Sequence, residues 1–305
     1  MNVAYLSGGV GGARLLEGLA RALPAASLTA IVNVGDDFSH WSLRICPDLD
    51  TVLYTLAGLS DPQRGWGLRK ETFRTLAAVQ RFGGEDWFRL GDTDLATHLM
   101  RTEWLAQGET LTAVTSRLAS ALGVAVAVLP MSDGRFETHI ETVHDGTLSF
   151  QDWLVRRNGL PAVARVLFRG EAAASPEVIR ALGEADAIVV GPSNPYVSID
   201  PILALPGVRQ GLSGKKVLAV SPIVDGRAIK GPLPAMIEAL AHRPASAGAV
   251  AAHYGGLLSG FVVEHGDEVT VHDVPCLPTR TVMKTRQDRL QLARTVLSFA
   301  ERMCC

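Results

Sequence analysis

Short apolar runs, each followed at once by glycine or polar residues, constrain the fold of this chain more than any other feature. Residues 2–6 precede SGGVGG, and residues 28–34 precede GDDFS. Near-continuous apolar runs of this length are typical of parallel strands that are covered on both faces. The same form recurs at residues 124–129, 187–190 and 217–220. The pattern therefore predicts an open α/β sheet whose strands end in polar loops, where ligands of such sheets bind.

Apolar residues at helical spacing separate the strands. Leu15, Leu16 and Leu19 follow the first glycine loop and predict a helix, so the chain begins with a β-α-β unit. Further amphipathic helices are predicted over residues 49–57, 70–81, 96–107, 111–122, 176–182, 232–241 and 286–302.

One segment departs from this alternation of strands and helices. Residues 135–170 alternate apolar and polar side chains around a turn at His144, Asp145 and Gly146, which is typical of a β-hairpin. A length of 305 residues allows one large or two ordinary domains. We predict a single domain over residues 1–305, with an inserted subdomain over residues 135–170.

Composition excludes several classes of protein. Hydrophobic residues make up 47% and charged residues 20%, as in globular proteins rather than disordered ones. The net charge of −2 argues against a nucleic-acid partner, and no apolar run is long enough to predict a membrane span. The cysteines, at positions 46, 276, 304 and 305, form no CxxC pair, so we expect neither zinc nor a disulfide framework, and a cytoplasmic location.

The first glycine loop is a candidate phosphate site. Ser7, Gly8, Gly9, Gly11 and Gly12 lie between the first strand and the first helix, where backbone N–H groups and the helix dipole favour an anion. The loop matches neither GxGxxG nor GxxxxGK[ST] well. A tight turn with close packing explains the glycines equally well, but the position after the first strand favours binding.

Four aspartates within fifteen residues form the second candidate site. Asp36 and Asp37 follow the second strand, whereas Asp48 and Asp50 lie at the start of a predicted helix. Capping explains Asp48, and Asp37 has a similar local explanation. Asp36 and Asp50 are therefore the candidate Mg²⁺ ligands, since this cation takes one or two carboxylates together with substrate oxygens.

Two further sequence blocks can be explained either by a structural or by a functional role. In WFRLGDTDLATHLMRT, capping explains Asp92 or Asp94, and His98 is more typical of a satisfied helix histidine than of a catalyst. In GPSNPYVSIDPIL, Ser193 and Asn194 are either turn residues or groups that contact a nucleotide. No GxSxG, HExxH or EF-hand pattern occurs.

Taken together, these blocks carry a resemblance to a known family. SGGVGGARLLEGL, VNVGDD, CPDLDTVLYTL, RGWGL, WFRLGDTDLATHLMRT, LPMSD, ETHIET, FQDWLV, GPSNPYVSIDPIL and AVSPIVDGRAIKGP occur in family order through nearly the whole chain. In them the chain resembles the CofD family of 2-phospho-L-lactate transferases, called FbiA in actinobacteria, of coenzyme F420 biosynthesis. The resemblance implies a magnesium-dependent transferase with a Rossmann-like fold.

The resemblance also implies the substrates. The acceptor is the deazaflavin alcohol Fo, 7,8-didemethyl-8-hydroxy-5-deazariboflavin. The donor is lactyl-2-diphospho-5'-guanosine or its enolpyruvyl counterpart, and GMP leaves. The products are coenzyme F420-0, or its dehydro form, and GMP.

Site residues follow from the resemblance position by position. Asp36 and Asp50 resemble metal ligands, with Asp50 near the acceptor hydroxyl as a candidate base. The glycine loop would receive phosphates. The guanosine side would be lined by Ser193, Asn194 and Pro195, and the Fo side by Asn33, Trp66, Asp92, His98, Met131, Ser132 and Asp133.

One departure from the family pattern concerns the donor acid. Many relatives have arginine where this chain has Thr93, so we expect the cationic contact to be lost or supplied by Arg89 or Arg101. The resemblance further suggests a homodimer. Two alternatives remain: a nucleotide-binding regulatory protein without transfer activity, and a cofactor-binding oxidoreductase, which the poor GxGxxG match disfavours.

Overall fold

The computed structural model describes residues 1–228, 231–267, 269 and 274–303. Cys304 and Cys305, for which no zinc site or disulfide is expected, lie outside the described residues, as do Ile229 and Lys230 of the AVSPIVDGRAIKGP block. The described strands are β1 Val3–Ser7, β2 Leu28–Val32, β3 Phe38–His40, β4 Leu43–Ile45, β5 Ala127–Pro130, β6 Glu137–Thr142, β7 Thr147–Ser149, β8 Val163–Arg169, β9 Ala187–Val190, β10 Lys216–Val220, β11 Ile223–Val224, β12 Arg227–Ala228, β13 Gly260–Glu264 and β14 Cys276–Thr279.

The helices alternate with the strands of the central sheet. They are α1 Val10–Ala22, α2 Pro47–Leu56, α3 Arg74–Arg81, α4 Asp94–Ala106, α5 Leu111–Ala121, α6 Pro176–Glu184, α7 Asp200–Ala204, α8 Val208–Leu212, α9 Leu233–Ala241, α10 Ala247–Tyr254 and α11 Arg286–Arg302. Two π-helical segments, Asp152–Arg156 and Pro195–Ile199, add to these.

Seven strands form the central sheet, in the order β14-β13-β10-β9-β1-β2-β5. All its pairings are parallel, which confirms the predicted α/β class with a Rossmann-like sheet. The chain runs from β1 outward to β2 and β5, and then continues on the other side of β1 with β9. The order of strands therefore reverses between β1 and β9, the position where such sheets bind ligands.

The sheet is buried between two layers of helices. Tyr5, Ile31 and Val189 are fully buried on neighbouring strands, which explains their continuous apolar runs. Helix α1 packs against α2 and α11, and its Leu15 and Leu19 are also fully buried. Among the described residues, no helix combines the length and the apolar character that a membrane crossing requires.

A smaller antiparallel sheet occupies part of the predicted insertion. Its order is β7-β6-β8, and β6 and β7 form the expected hairpin, with Gly146 at φ +73° in the turn. Phe136 and Phe168 stack with ring centroids 5.6 Å apart. The division into one domain with an inserted subdomain stays a prediction.

The predicted helix over residues 70–81 begins later than expected, at Arg74. Lys70 has a left-handed backbone conformation with φ +59°, which an α-helix excludes. The carboxylate of Asp92 accepts the N–H groups of Arg74 at 3.0 Å and Thr75 at 2.9 Å. Apolar spacing alone does not locate a helix start that is set by a carboxylate from a later segment.

Candidate active site

A cleft of about 710 Å³ opens at the carboxyl ends of the central strands. Loops after β1, β2, β9 and β10 contribute to it, so it spans the point where the strand order reverses. Eight residues predicted for the site line this cleft: Gly9, Gly11, Asp36, Asp50, Trp66, His98, Ser193 and Asn194.

The glycine loop is held against the loop that follows β9. The Gly8 N–H donates to Ser193 Oγ at 3.1 Å, and Ser7 Oγ donates to the Gly8 carbonyl at 2.7 Å. A Cβ on Gly12 would overlap the hydroxyl groups of Ser7 and Ser193, so close packing requires glycine there. Gly9 and Gly11 line the cleft instead.

Helix α1 begins at the cleft with open backbone donors. Its N-cap residue is Gly9, which provides no side-chain hydrogen bond, and the first turn carries no acidic residue. The first N–H groups of a helix lack intrahelical acceptors and favour an anion. The two explanations of the loop therefore apply to different glycines: packing at Gly12 and an open helix end at Gly9.

Asn33 connects two buried carboxylates. Its Nδ2 donates to Asp36 Oδ1 in a short hydrogen bond and to Asp48 Oδ2 at 3.1 Å. Burial, followed by the nearby charges of Asp48 and Asp37, raises the pKa of Asp36 well above its usual value. Burial also raises the pKa of Asp48 to about 7. A bound cation would favour the ionised form of both carboxyls, so the pair is suited to a cation site.

The structure corrects the prediction that Asp48 caps its helix. The N-cap residue of α2 is Cys46, and Asp48 lies in the first turn behind Pro47. Its carboxylate instead accepts a hydrogen bond from Asn33. It also lies close to the glycine loop, because a Cβ added to Gly9 would be only 2.7 Å from Asp48 Oδ1. Asp48 also lines the cleft, so a residue expected to be structural belongs to the candidate site.

Asp37 lies near this pair but has a charged partner of its own. Its Oδ2 accepts a hydrogen bond from Arg44 Nη2 at 3.1 Å. Burial raises the pKa of Asp37 to about 6, although Arg44 opposes the shift. Asp37 thus forms an ion pair on the hairpin of β3 and β4 instead of capping its loop.

Asp50 forms a bidentate ion pair with Arg101. Arg101 Nη1 lies 3.1 Å from Asp50 Oδ2, and Arg101 Nη2 makes a short hydrogen bond to Asp50 Oδ1. The Arg101 side chain is 1% exposed. Burial is the largest effect and lowers the pKa of Arg101, but Asp50 together with Cys46 and Tyr54 raises it, so the pKa lies above its usual value.

His98 lies between Asp50 and Asp94 on the wall formed by α4. Its Nδ1 is 3.7 Å from Asp50 Oδ2 and 3.2 Å from Arg101 Nη1, and its Nε2 is 3.4 Å from Asp94 Oδ1. Tyr54 Oη donates to the same Asp94 oxygen at 2.7 Å. His98 is thus a buried histidine whose Nδ1 contacts Arg101, whereas its Nε2 has no hydrogen-bond partner among the described residues, and it also reaches the cleft.

Aromatic side chains form another part of the lining. Trp66 is 41% exposed, and Trp87, Phe88 and Phe150 lie with it along the cleft. Arg89 also lines the cleft and stacks over the Phe73 ring at 4.7 Å. Planar apolar surfaces of this kind suit an aromatic ligand.

The sequence pattern does not single out several cleft residues. Trp87 and Phe88 belong to the WFRLGDTD block and Phe150 to the FQDWLV block, but apolar residues in such blocks are indistinguishable from core residues without a structure. Arg14 lines the cleft from α1, where its helical position gives no functional signal.

Other predicted site residues lie outside the described lining and have structural partners. Asp92 caps α3, and the π-helical segment begins at Pro195, which is buried. Met131 is fully buried, Ser132 Oγ donates to the Ala173 carbonyl at 2.7 Å, and Asp133 accepts the Thr112 N–H at 2.7 Å. Asn33 is also fully buried and reaches the site through its contacts with carboxylates. Their roles toward a ligand stay predictions.

Comparison with known proteins identifies the class to which this fold and cleft belong. Residues 3–289 match the model of the family described as 2-phospho-L-lactate transferase CofD. The chain is therefore a member of the CofD family of transferases, as its sequence blocks predict. The full-length match also disfavours the oxidoreductase and regulatory alternatives.

Named relatives match over almost their entire length. A phosphoenolpyruvate transferase of Streptomyces coelicolor is 41% identical, over 99% of this chain and 98% of the relative. A 2-phospho-L-lactate transferase of Methanosarcina acetivorans is 38% identical, over 98% and 99%. A crystal structure of a UPF0052 family member from Bacillus halodurans has the same fold, with a TM-score of 0.63 at 19% identity and coverage of 97% and 98%.

Proposed function

We propose that this protein transfers a phospholactyl or phosphoenolpyruvyl group from a guanosine diphosphate-linked donor to Fo, with release of GMP. The single observation that carries the proposal is the arrangement of the cleft. Buried carboxylates, an open helix end and aromatic side chains line the same cleft. Relatives named for both acids match this chain over its full length.

The nucleotide part of the donor fits the glycine loop and the loop after β9. The open N–H groups at the start of α1 suit the diphosphate, and Arg14 adds a positive charge from the next turn of the same helix. Ser193 and Asn194 line the cleft beside them and would contact the guanosine. This half of the cleft is the proposed GDP and GMP site.

The residues present fit a magnesium ion. Asp36, Asp48 and Asp50 all line the cleft, and burial, followed by the charges of Asp48 and Asp37, raises the pKa of Asp36, an effect that a bound cation would oppose. Among the residues that the structure describes, no group of three or more acidic, histidine or cysteine side chains is placed to hold a metal by itself. Asp36 and Asp50 would therefore bind Mg²⁺ together with donor phosphates, and Mg²⁺ would neutralise phosphate charge.

The proposed reaction forms one phosphorus–oxygen bond and breaks another. The terminal ribityl hydroxyl of Fo attacks the phosphorus that carries the acid, its proton passes to solvent, and the bond to the bridging oxygen breaks as GMP leaves. Such transfers depend mainly on positioning and on neutralisation of charge. Both Asp50 oxygens already accept hydrogen bonds from Arg101, so Asp50 suits orientation of the hydroxyl better than removal of its proton.

The aromatic part of the cleft lining is the proposed site of the deazaflavin ring. Trp66, Trp87 and Phe88 offer ring faces, and His98 lies beside Asp50 where the ribityl end would approach. Arg101 is committed to Asp50, so Arg89 remains the candidate for the cationic contact that Thr93 does not supply. We also propose a cytoplasmic homodimer, on the strength of the family resemblance.

The test is a reaction containing the protein, Fo, Mg²⁺ and one guanylylated acid at a time. Released GMP and the mass of the deazaflavin product are measured with the lactyl and the enolpyruvyl donor. We expect product with at least one donor, and the better donor identifies the acid. GDP binding without product from either donor would instead indicate a regulatory protein of the same fold.

A further inference from the structure

The Arg101 side chain is buried and pairs with Asp50, a residue of the cleft. Asp50 and His98 are among the described residues of the lining, whereas Arg101 is not. Its two terminal nitrogens take both oxygens of Asp50, one at 3.1 Å and the other in a short hydrogen bond. A planar guanidinium that meets a carboxylate in this way fixes both the position and the orientation of the carboxylate.

Further contacts fix Arg101 itself. Nη1 is 3.2 Å from His98 Nδ1 and donates to the Arg44 carbonyl at 3.4 Å. The guanidinium only donates, so a hydrogen bond at this contact would need His98 Nδ1 as the acceptor. His98 Nε2 lies 3.4 Å from Asp94 Oδ1. These neighbours thus restrict the movement of the ion pair.

The position of Asp50 in its helix does not explain why it is paired with a buried arginine. Asp50 lies in the first turn of α2, where a carboxylate is already favoured by the helix dipole. Pairing Asp50 with a buried arginine from α4 costs free energy of desolvation, since both charged groups must leave water. A ligand whose binding depends on the orientation of the Asp50 carboxylate would explain why the protein buries this ion pair.

We infer that Arg101 is a positioning residue, which holds the Asp50 carboxylate oriented toward Mg²⁺ and the acceptor hydroxyl. The inference rests on the proposed function of the cleft. Arg101 touches neither substrate and acts only through Asp50. Any effect of Arg101 on turnover must therefore disappear when Asp50 can no longer bind Mg²⁺.

The test is a double-mutant cycle with Arg101→Met, Asp50→Asn and the double variant. We expect Arg101→Met alone to lower kcat by about 100-fold at saturating donor and Mg²⁺, the loss typical of a group displaced by about 1 Å. In the Asp50→Asn background the same change has little further effect. Equal losses in both backgrounds would overturn the inference, because Arg101 would then act independently of Asp50.

A second readout does not require turnover. GDP is titrated calorimetrically with and without Mg²⁺, and we expect Arg101→Met to reduce the Mg²⁺-dependent gain in affinity while GDP binding without Mg²⁺ is kept. If the wild-type protein forms no product, the proposed transfer fails, and this titration alone decides about Arg101. An equal effect of Mg²⁺ on both proteins would contradict the positioning role.

Two further variants separate positioning from folding. Arg101→Lys keeps the charge but loses the paired geometry, so we expect it to fold and to recover only part of the lost kcat. Arg289→Met removes an arginine that pairs with buried Glu17 at the other end of α1, and we expect a lower melting temperature with unchanged kcat. Full kcat in Arg101→Lys would show that charge alone is sufficient and would overturn the claim of orientation.

Discussion

The N–H of Gly8 donates to the hydroxyl of Ser193 at 3.1 Å, across the point where the strand order of the sheet reverses. The two residues are 185 positions apart and belong to the loops that follow β1 and β9. This hydrogen bond joins the phosphate side of the proposed donor site to its guanosine side. The shape of that site therefore depends on both loops at once.

Replacement of Ser193 by alanine tests this link. The buried Gly8 N–H then loses its acceptor, and we expect the free energy of unfolding to fall by about 1–3 kcal/mol, with weaker GDP binding. Urea denaturation and calorimetric titration of GDP measure the two effects. Ser298→Ala, an exposed serine on α11, is the control and should change neither. Stability equal to wild type in Ser193→Ala would show that the link contributes nothing.

Gly12→Ala tests the close packing of the glycine loop. The added Cβ would overlap Ser7 Oγ and lie 2.6 Å from Ser193 Oγ, so we expect a loss of about 1–3 kcal/mol and weaker GDP binding. Gly183→Ala is the matched control, because its Cβ would enter open space in α6. There we expect a gain of up to about 1 kcal/mol. Similar effects at both positions would contradict the packing explanation.

Removal of the metal tests the carboxylate site. We expect EDTA to abolish product formation and added Mg²⁺ to restore it, since the carboxylates and the donor phosphates repel one another without a cation. Asp36→Asn should lower kcat by about 100-fold or more and raise the Mg²⁺ concentration that gives half-maximal rate. Asp145→Asn, an exposed aspartate in the insertion, serves as the control. Full activity in EDTA would exclude the metal.

Asp92 provides a prediction about stability and pH. Hydrogen bonds from Thr72, and from the backbone N–H groups at the start of α3, hold the pKa of Asp92 below its usual value of 3.8. A carboxylate with a lowered pKa in the folded state stabilises the protein above its unfolded pKa, and that contribution is lost as pH falls. We expect Asp92→Ala to melt earlier than wild type at pH 7, with a smaller gap below pH 4. A gap that stays constant would contradict the role of the charge.

The strands that hold the candidate site are readable from the sequence, because burial on both faces demands uninterrupted apolar runs. The run over residues 187–190 coincides with β9, and residues 28–34 contain β2. Strand β14 is not readable in this way. It contains Pro278, which removes a backbone donor and is tolerated because β14 lies at the edge of the sheet.

The sequence predicts the site residues themselves better than it predicts the residues with which they pair. Asp36 and Asp50 follow from their positions after a strand and at a helix start. The pairing of Asp50 with Arg101 joins positions 51 residues apart, and that of Asn33 with Asp48 joins positions 15 apart. Local spacing carries no information about such contacts, so Asp48 resembles an ordinary cap until the fold brings it to Asn33.

The stoichiometry of transfer tests the central claim most directly. Wild-type protein is incubated with Fo, Mg²⁺ and the preferred guanylylated donor, and GMP and the phosphodiester product of Fo are quantified in the same samples. We predict one GMP for each molecule of product, with both lost together in Asp50→Asn although GDP still binds. GMP released without a deazaflavin product, or no GMP from either donor, would contradict the assignment of this cleft as a transferase site.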